Sequence, residues 1–123
     1  YIIYRGHDMS TYAVSKLLEK TNDNTQIISF PDYDPKGFEI AKSISRMSHI
    51  LLPKHPLLAC KFASGTKNRY FKQINSVTHF EKHGLPTNNL QKHWDILCRK
   101  EVSVSQEVIL SHKLPLMLLP WKN

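Results

Sequence analysis

Short apolar runs alternate with amphipathic stretches through the first half of the chain. Tyr1-Ile2-Ile3-Tyr4, closed by Arg5, reads as a buried strand, and Gly6-His7-Asp8 as a turn. Ser10 can cap a helix from Thr11 to Lys20 that gathers Val14, Leu17 and Leu18 on one face. Thr21-Asn22-Asp23-Asn24 breaks it, and Thr25 to Phe30 forms a second strand. Pro35 suits the first position of a helix, with Asp34 as its N-cap. That helix is expected to run to about Arg46, with Phe38, Ile40, Ala41 and Ile44 available for packing. His49-Ile50-Leu51-Leu52 gives a third strand, stopped by Pro53. The order strand, helix, strand, helix, strand predicts an α/β fold whose strands lie parallel in one sheet, flanked by helices. Sites in such sheets lie outside the carboxyl ends of the strands. Arg5 to Asp8, Asp32 with Asp34, and the segment after Pro53 are therefore expected to converge on one crevice.

The second half carries weaker periodicity. Lys54 to Gly84 is mixed and basic, with a short strand expected over Gln73 to Thr78. Leu90, Trp94 and Leu97 share helical spacing and predict a helix from Asn88 to Lys100. Ser103-Val104-Ser105-Gln106 fits a capping box for another helix through about Ser111. Leu114 to Pro120 is expected as a packed tail, and Trp94 and Trp121 as packing anchors. A single domain over residues 1–123 accounts for the length. No apolar run has the length of a membrane span. The chain opens without Met on a strand-like segment, so it is expected to be a C-terminal fragment of a longer protein.

Charge adds a partner class. Lys and Arg total 17 against 10 Asp and Glu, a net charge of +7, and the isoelectric point is near 9.5. Such a surface suits polyanions, nucleic acid above all, or is simply that of a soluble basic domain. Lys61, Lys67, Arg69, Lys72 and Lys82 surround Phe62, Tyr70, Phe71 and Phe80. That interleaving fits phosphates and bases, while core rings with a solvated lysine rim give the same pattern. Cys60 and Cys98 form no CxxC and read as reduced thiols of a cytoplasmic protein. His79 and His83 stand four apart, but Gly84 and Pro86 follow at once, and solvated histidines are the default.

The densest chemistry lies in Asp32-Tyr33-Asp34-Pro35-Lys36-Gly37, directly after the second strand. Two carboxylates at alternate positions suit Mg²⁺, which prefers oxygen ligands and keeps several waters. The adjoining helix start favours anions, Lys36 adds a positive charge, and Gly37 permits close approach of backbone or phosphate. Asp34 as a plain cap and Asp32 as a turn residue explain the same pattern. Tyr33 is the tyrosine expected to face the site. Glu107 stands in the first turn of the last helix, where the dipole favours it or where it would add a third metal ligand.

The DxDxxG pattern of Asp32, Asp34 and Gly37 after a buried strand resembles the Toprim domain of primases, topoisomerases and related nucleases. Pro35 after the second Asp, with Ile40 and Ala41 beyond Gly37, is most similar to the branch of the topoisomerase VI A subunit and the Wadjet nuclease. The resemblance covers roughly residues 1 to 60 and extends to Ser105-Gln106-Glu107. It implies a Rossmann-like Toprim fold with a central, mostly parallel sheet. It implies Mg²⁺, with Mn²⁺ as a substitute, on Asp32 and Asp34, and cleavage of DNA phosphodiester bonds. Arg5 stands where the family places a Glu, so Asp8, or else His7, is the replacement acid/base, and Asp8, Asp32 and Asp34 form the candidate catalytic set. Arg5, His7, Lys36, Lys67 and Arg69 are the candidate nucleic-acid contacts. DNA, other domains of the same chain and a second copy are the expected partners. An inactive Toprim-like module for DNA or protein binding is the alternative. A haloacid-dehalogenase-like phosphatase and a receiver domain fit less well, because both carry their acidic motif on the first strand.

Overall fold

The computed structural model describes residues 2–4, 26–44, 47–63, 67–75 and 84–122. Its centre is a four-stranded sheet ordered β1 (Ile2–Tyr4), β2 (Ile27–Ser29), β3 (Met47–Pro53) and β4 (Leu116–Pro120). The first three strands run parallel, and β4 returns antiparallel to β3. The chain is thus mixed α/β with a mostly parallel sheet. Its parallel strands follow sequence order, without the reversal that marks a doubly wound sheet. All three residues of β2 are buried, as expected for a strand covered on both faces. A bulge lets Ile28 face His49 where Ile27 faces Met47. Ser48, the extra residue, donates its hydroxyl to the Ile27 carbonyl at 3.0 Å, so the bulge leaves that acceptor satisfied.

Helix α1 (Pro35–Ser43) begins as the sequence predicts, with Pro35 in its first turn and Asp34 as N-cap. It ends three residues earlier than expected, at an extended Ile44 whose N–H still bonds Ala41 O. Two short helices follow, α2 (Pro56–Cys60) and α3 (Lys67–Ile74). Helix α4 (Asn88–Lys100) has the predicted bounds, and buries Leu90, Trp94 and Leu97. Helix α5 (Gln106–Ser111) leads to β4. Phe38, Trp94, Ile50, Leu52, Leu97, Ile109 and Trp121 share one core between sheet and helices. Phe38 and Trp94 meet edge to face at 5.7 Å, so both tryptophan anchors are packed as expected.

Three expectations are corrected. Gln73 and Ile74 close a helix rather than open a strand; Tyr70 packs inward from it, while Phe71 faces out. Leu116 to Pro120 is the fourth strand, because β3 offers it a complete antiparallel edge. The cap of α5 is Ser105, whose hydroxyl accepts the Val108 N–H at 3.2 Å, leaving Ser103 for another partner. The helix expected over residues 11–20 and the turn over 6–8 lie outside the described residues. None of the described helices is long and apolar enough to cross a membrane.

Candidate functional site

The acid turn leaves the carboxyl end of β2 and is pinned at its middle. Tyr33 N–H donates to Val104 O at 2.8 Å, and Val104 N–H donates to Tyr33 O at 3.1 Å. Extended backbone sends alternate side chains to opposite sides. Tyr33 therefore enters the core with no exposure, while Asp32 and Asp34 line a cleft of about 660 Å³. The expectation that Tyr33 faces the site is corrected by this alternation. Its hydroxyl lies 2.7 Å from Nδ1 of the buried His93, and the rings meet edge to face at 5.6 Å. Burial raises the pKa of the Tyr33 hydroxyl far above its ordinary value, so it stays protonated. Burial also lowers that of His93 to about 4, which keeps the imidazole neutral at pH 7.

Asp34 is 2% exposed and organises the turn. Oδ1 accepts the Gly37 N–H at 2.7 Å, which caps α1. Oδ2 accepts the Ser103 hydroxyl at 2.8 Å and the Gln73 amide at 3.3 Å. Gln73 also accepts the Lys36 N–H at 3.1 Å, tying α3 to the head of α1. Asp32 is half-buried, and its Oδ1 accepts the Gln106 N–H at 2.8 Å, at the first residue of α5. The Gln106 side-chain amide donates to the Phe30 carbonyl. Gly37 is required by packing. A Cβ there would lie 2.1 Å from the Asp32 carbonyl oxygen. The close approach that the sequence suggested is thus one of helix to backbone.

Lys36, Arg69 and Glu107 complete the cleft. Lys36 pairs with Glu39 at 3.1 Å and stays half-exposed, where solvent screens the pair. Lys67, predicted alongside Arg69, is not among the lining residues and lies 3.7 Å from Glu101 instead. Gln73 and Ser105 line the cleft in place of the segment after Pro53. Arg5, His7 and Asp8 lie outside the described residues, as do Phe80, Lys82 and the His79–His83 pair. Neither Cys60 nor Cys98 forms a disulfide; both are partly buried, and burial pushes the Cys60 thiol up. Among the described residues, no three His, Cys, Asp or Glu side chains are grouped to hold a metal ion.

Comparison with known proteins places the whole of this arrangement in one family, whose match spans residues 1–118. The chain belongs to the family described as Domain of unknown function DUF7281. No curated protein and no solved structure matches it. Within this member of the family, Gln73, Ser103 and Gln106 are the site residues that sequence reasoning missed as partners of the acids. Ser103 and Gln106 stood inside the predicted capping box, but nothing local in the sequence joins them to a turn 69 and 74 residues away.

Proposed function

We propose that this domain is a Rossmann-like, Toprim-like module that binds Mg²⁺ or Mn²⁺ at its acid turn and acts on DNA phosphodiester bonds. The observation that carries this reading is the cleft at the carboxyl end of β2. Two carboxylates line it from one turn, and Lys36 and Arg69 supply positive charge beside them. Carboxylates suit a hard cation, and the cations suit the phosphate such an ion would share. The donor set fits a hydrated Mg²⁺, which needs only one or two protein carboxylates. Asp32 is the better placed ligand. Asp34 already accepts three hydrogen bonds, so it joins as a ligand when Gln73 or Ser103 yields. A bound ion would polarise the phosphodiester and stabilise the leaving oxygen. Lys36 and Arg69 would hold the backbone phosphates, and Asp8 is the candidate for moving a proton. Other domains of a longer chain and a second copy remain proposed partners, in the cytoplasm.

A second reading is favoured by one observation. The carboxylate of Asp34 serves the fold at both oxygens, and Arg5 stands where Toprim domains place a Glu. Both features suit a module that binds DNA or protein without cutting. Calorimetric titration of the 123-residue chain with Mn²⁺ and Mg²⁺ distinguishes the readings, with Asp32→Asn as the variant because Asp34 holds the helix cap. Saturable binding that weakens by about tenfold or more, roughly 1.4 kcal/mol, is expected. Absence of saturable binding to the unaltered chain overturns the metal site. Metal-dependent nicking of supercoiled plasmid, lost in Asp32→Asn, supports the enzyme. DNA binding indifferent to both metal and variant supports the inert module.

A further inference from the structure

We propose that a second cavity, between α4, β4 and the head of α2, binds a small carboxylate with an apolar body through His93 and Lys92, and that His93 links it to the acid turn. The cavity measures about 170 Å³. Ile96, Met117 and Leu119 give it an apolar wall, and Pro56 closes the α2 side. An apolar cavity of about 150 Å³ accommodates benzene, so a ring or branched chain of that size fits.

The polar end is defined by hydrogen-bond accounting. His93 is 7% exposed and lines the cavity. Its Nδ1 is 2.7 Å from the Tyr33 hydroxyl, which stays protonated and which we assign as the donor of this pair. The neutral ring therefore carries its proton on Nε2. Nε2 has no hydrogen-bond partner among the described residues. Nε2 is not among the buried polar atoms left without a partner, so it opens to solvent, where an acceptor on a ligand in the cavity would replace water. Lys92 also lines the cavity and forms no ion pair among the described residues. One N–H donor, one ammonium and an apolar wall together select an anion with a hydrocarbon body; a neutral or cationic ligand would leave the lysine unused. A carboxylate held at Nε2 fixes the tautomer whose other nitrogen accepts from Tyr33, the residue between Asp32 and Asp34.

The test is NMR titration of the 123-residue chain at pH 7 with benzoate, and with benzyl alcohol as its uncharged counterpart. The expected result is saturable shifts of the His93 ring and of Ile96, Met117 and Leu119, with the Tyr33 amide moving in step. Benzyl alcohol should bind about tenfold more weakly or less, since hydrogen bonds to charged groups are the stronger kind. Ile96→Phe, which fills the space from a half-buried position, and Lys92→Glu, which reverses the surface charge, should each weaken benzoate by about tenfold. Ring nitrogen shifts in the free chain should place the His93 proton on Nε2. Non-saturating shifts, equal affinity in both variants, or a proton on Nδ1 would overturn the site. Equal binding of benzyl alcohol overturns the carboxylate class, and an unmoved Tyr33 amide overturns the link.

Discussion

Burial of the His93 imidazole makes proton uptake unfavourable in the folded state. Its folded value of about 4 lies below the ordinary 6.5, so between these values the unfolded chain binds more protons. The effect is nil above pH 6.5 and grows as pH falls through 6.5 towards 4. At its limit it removes on the order of 3 kcal/mol of stability. Urea unfolding at pH 7 and pH 4.5 should therefore show a lower midpoint in acid. His93→Gln, which keeps an acceptor for Tyr33, should show a smaller acid loss than the unaltered chain. An equal loss in both would place the acid sensitivity elsewhere. At this scale, much was legible beforehand. Asp34 as N-cap, Pro35 in the first turn and the buried tryptophans follow from local chemistry. The inward turn of Tyr33 was not legible, since it follows only once the backbone between the two cleft-facing acids is known to be extended. Nor were the partners of those acids, because a hydrogen bond across 69 residues leaves no local trace.

Among the elements, α1 is the one that couples sequence to site most tightly. Its first turn rests on the backbone it has just left, with Gly37 against the Asp32 carbonyl. Gly37→Ala would need that contact of 2.1 Å to open, and neither backbone can move without disturbing the cap or the Val104 bridge. Overpacking of this kind costs about 1–3 kcal/mol or more. That cost should outweigh the helix propensity Ala gains, about 1 kcal/mol. A denaturant midpoint at or above that of the unaltered chain would contradict this packing. Element identity was legible where periodicity and caps agreed, as in α4. It failed where they competed. The Leu114–Pro120 run lies between prolines, which weaken a strand reading, yet an edge strand tolerates them. Gln73 to Thr78 was expected as a strand, but the Gln73 and Ile74 end of that segment belongs to a helix whose inward residue is Tyr70.

For the whole molecule, a charge of +7 is the property a polyanion would meet first. Affinity for duplex DNA should fall steeply with salt, with a slope set by the number of phosphates neutralised. Arg69→Ala should reduce that slope by about one and weaken binding alike for all sequences, as a phosphate contact does. Fluorescence anisotropy across a salt series measures both, and an unchanged slope would remove Arg69 from the interface. Sequence order gave the three parallel strands, and their crossover lengths gave the class. Their unreversed order in the sheet could not be read, since neighbours in space are decided by packing between elements.

Beyond Gly37 and Gln73, the acid turn takes two donors from Ser103 and Gln106, late in the chain. A polypeptide emerging from a ribosome shows both aspartates to solvent long before it holds the groups that set their geometry. Whatever chemistry the turn supports is thus withheld until synthesis of the domain is nearly finished. A chain cut off after Lys100 keeps both acids and the Gly37 and Gln73 donors but loses the two that Ser103 and Gln106 supply.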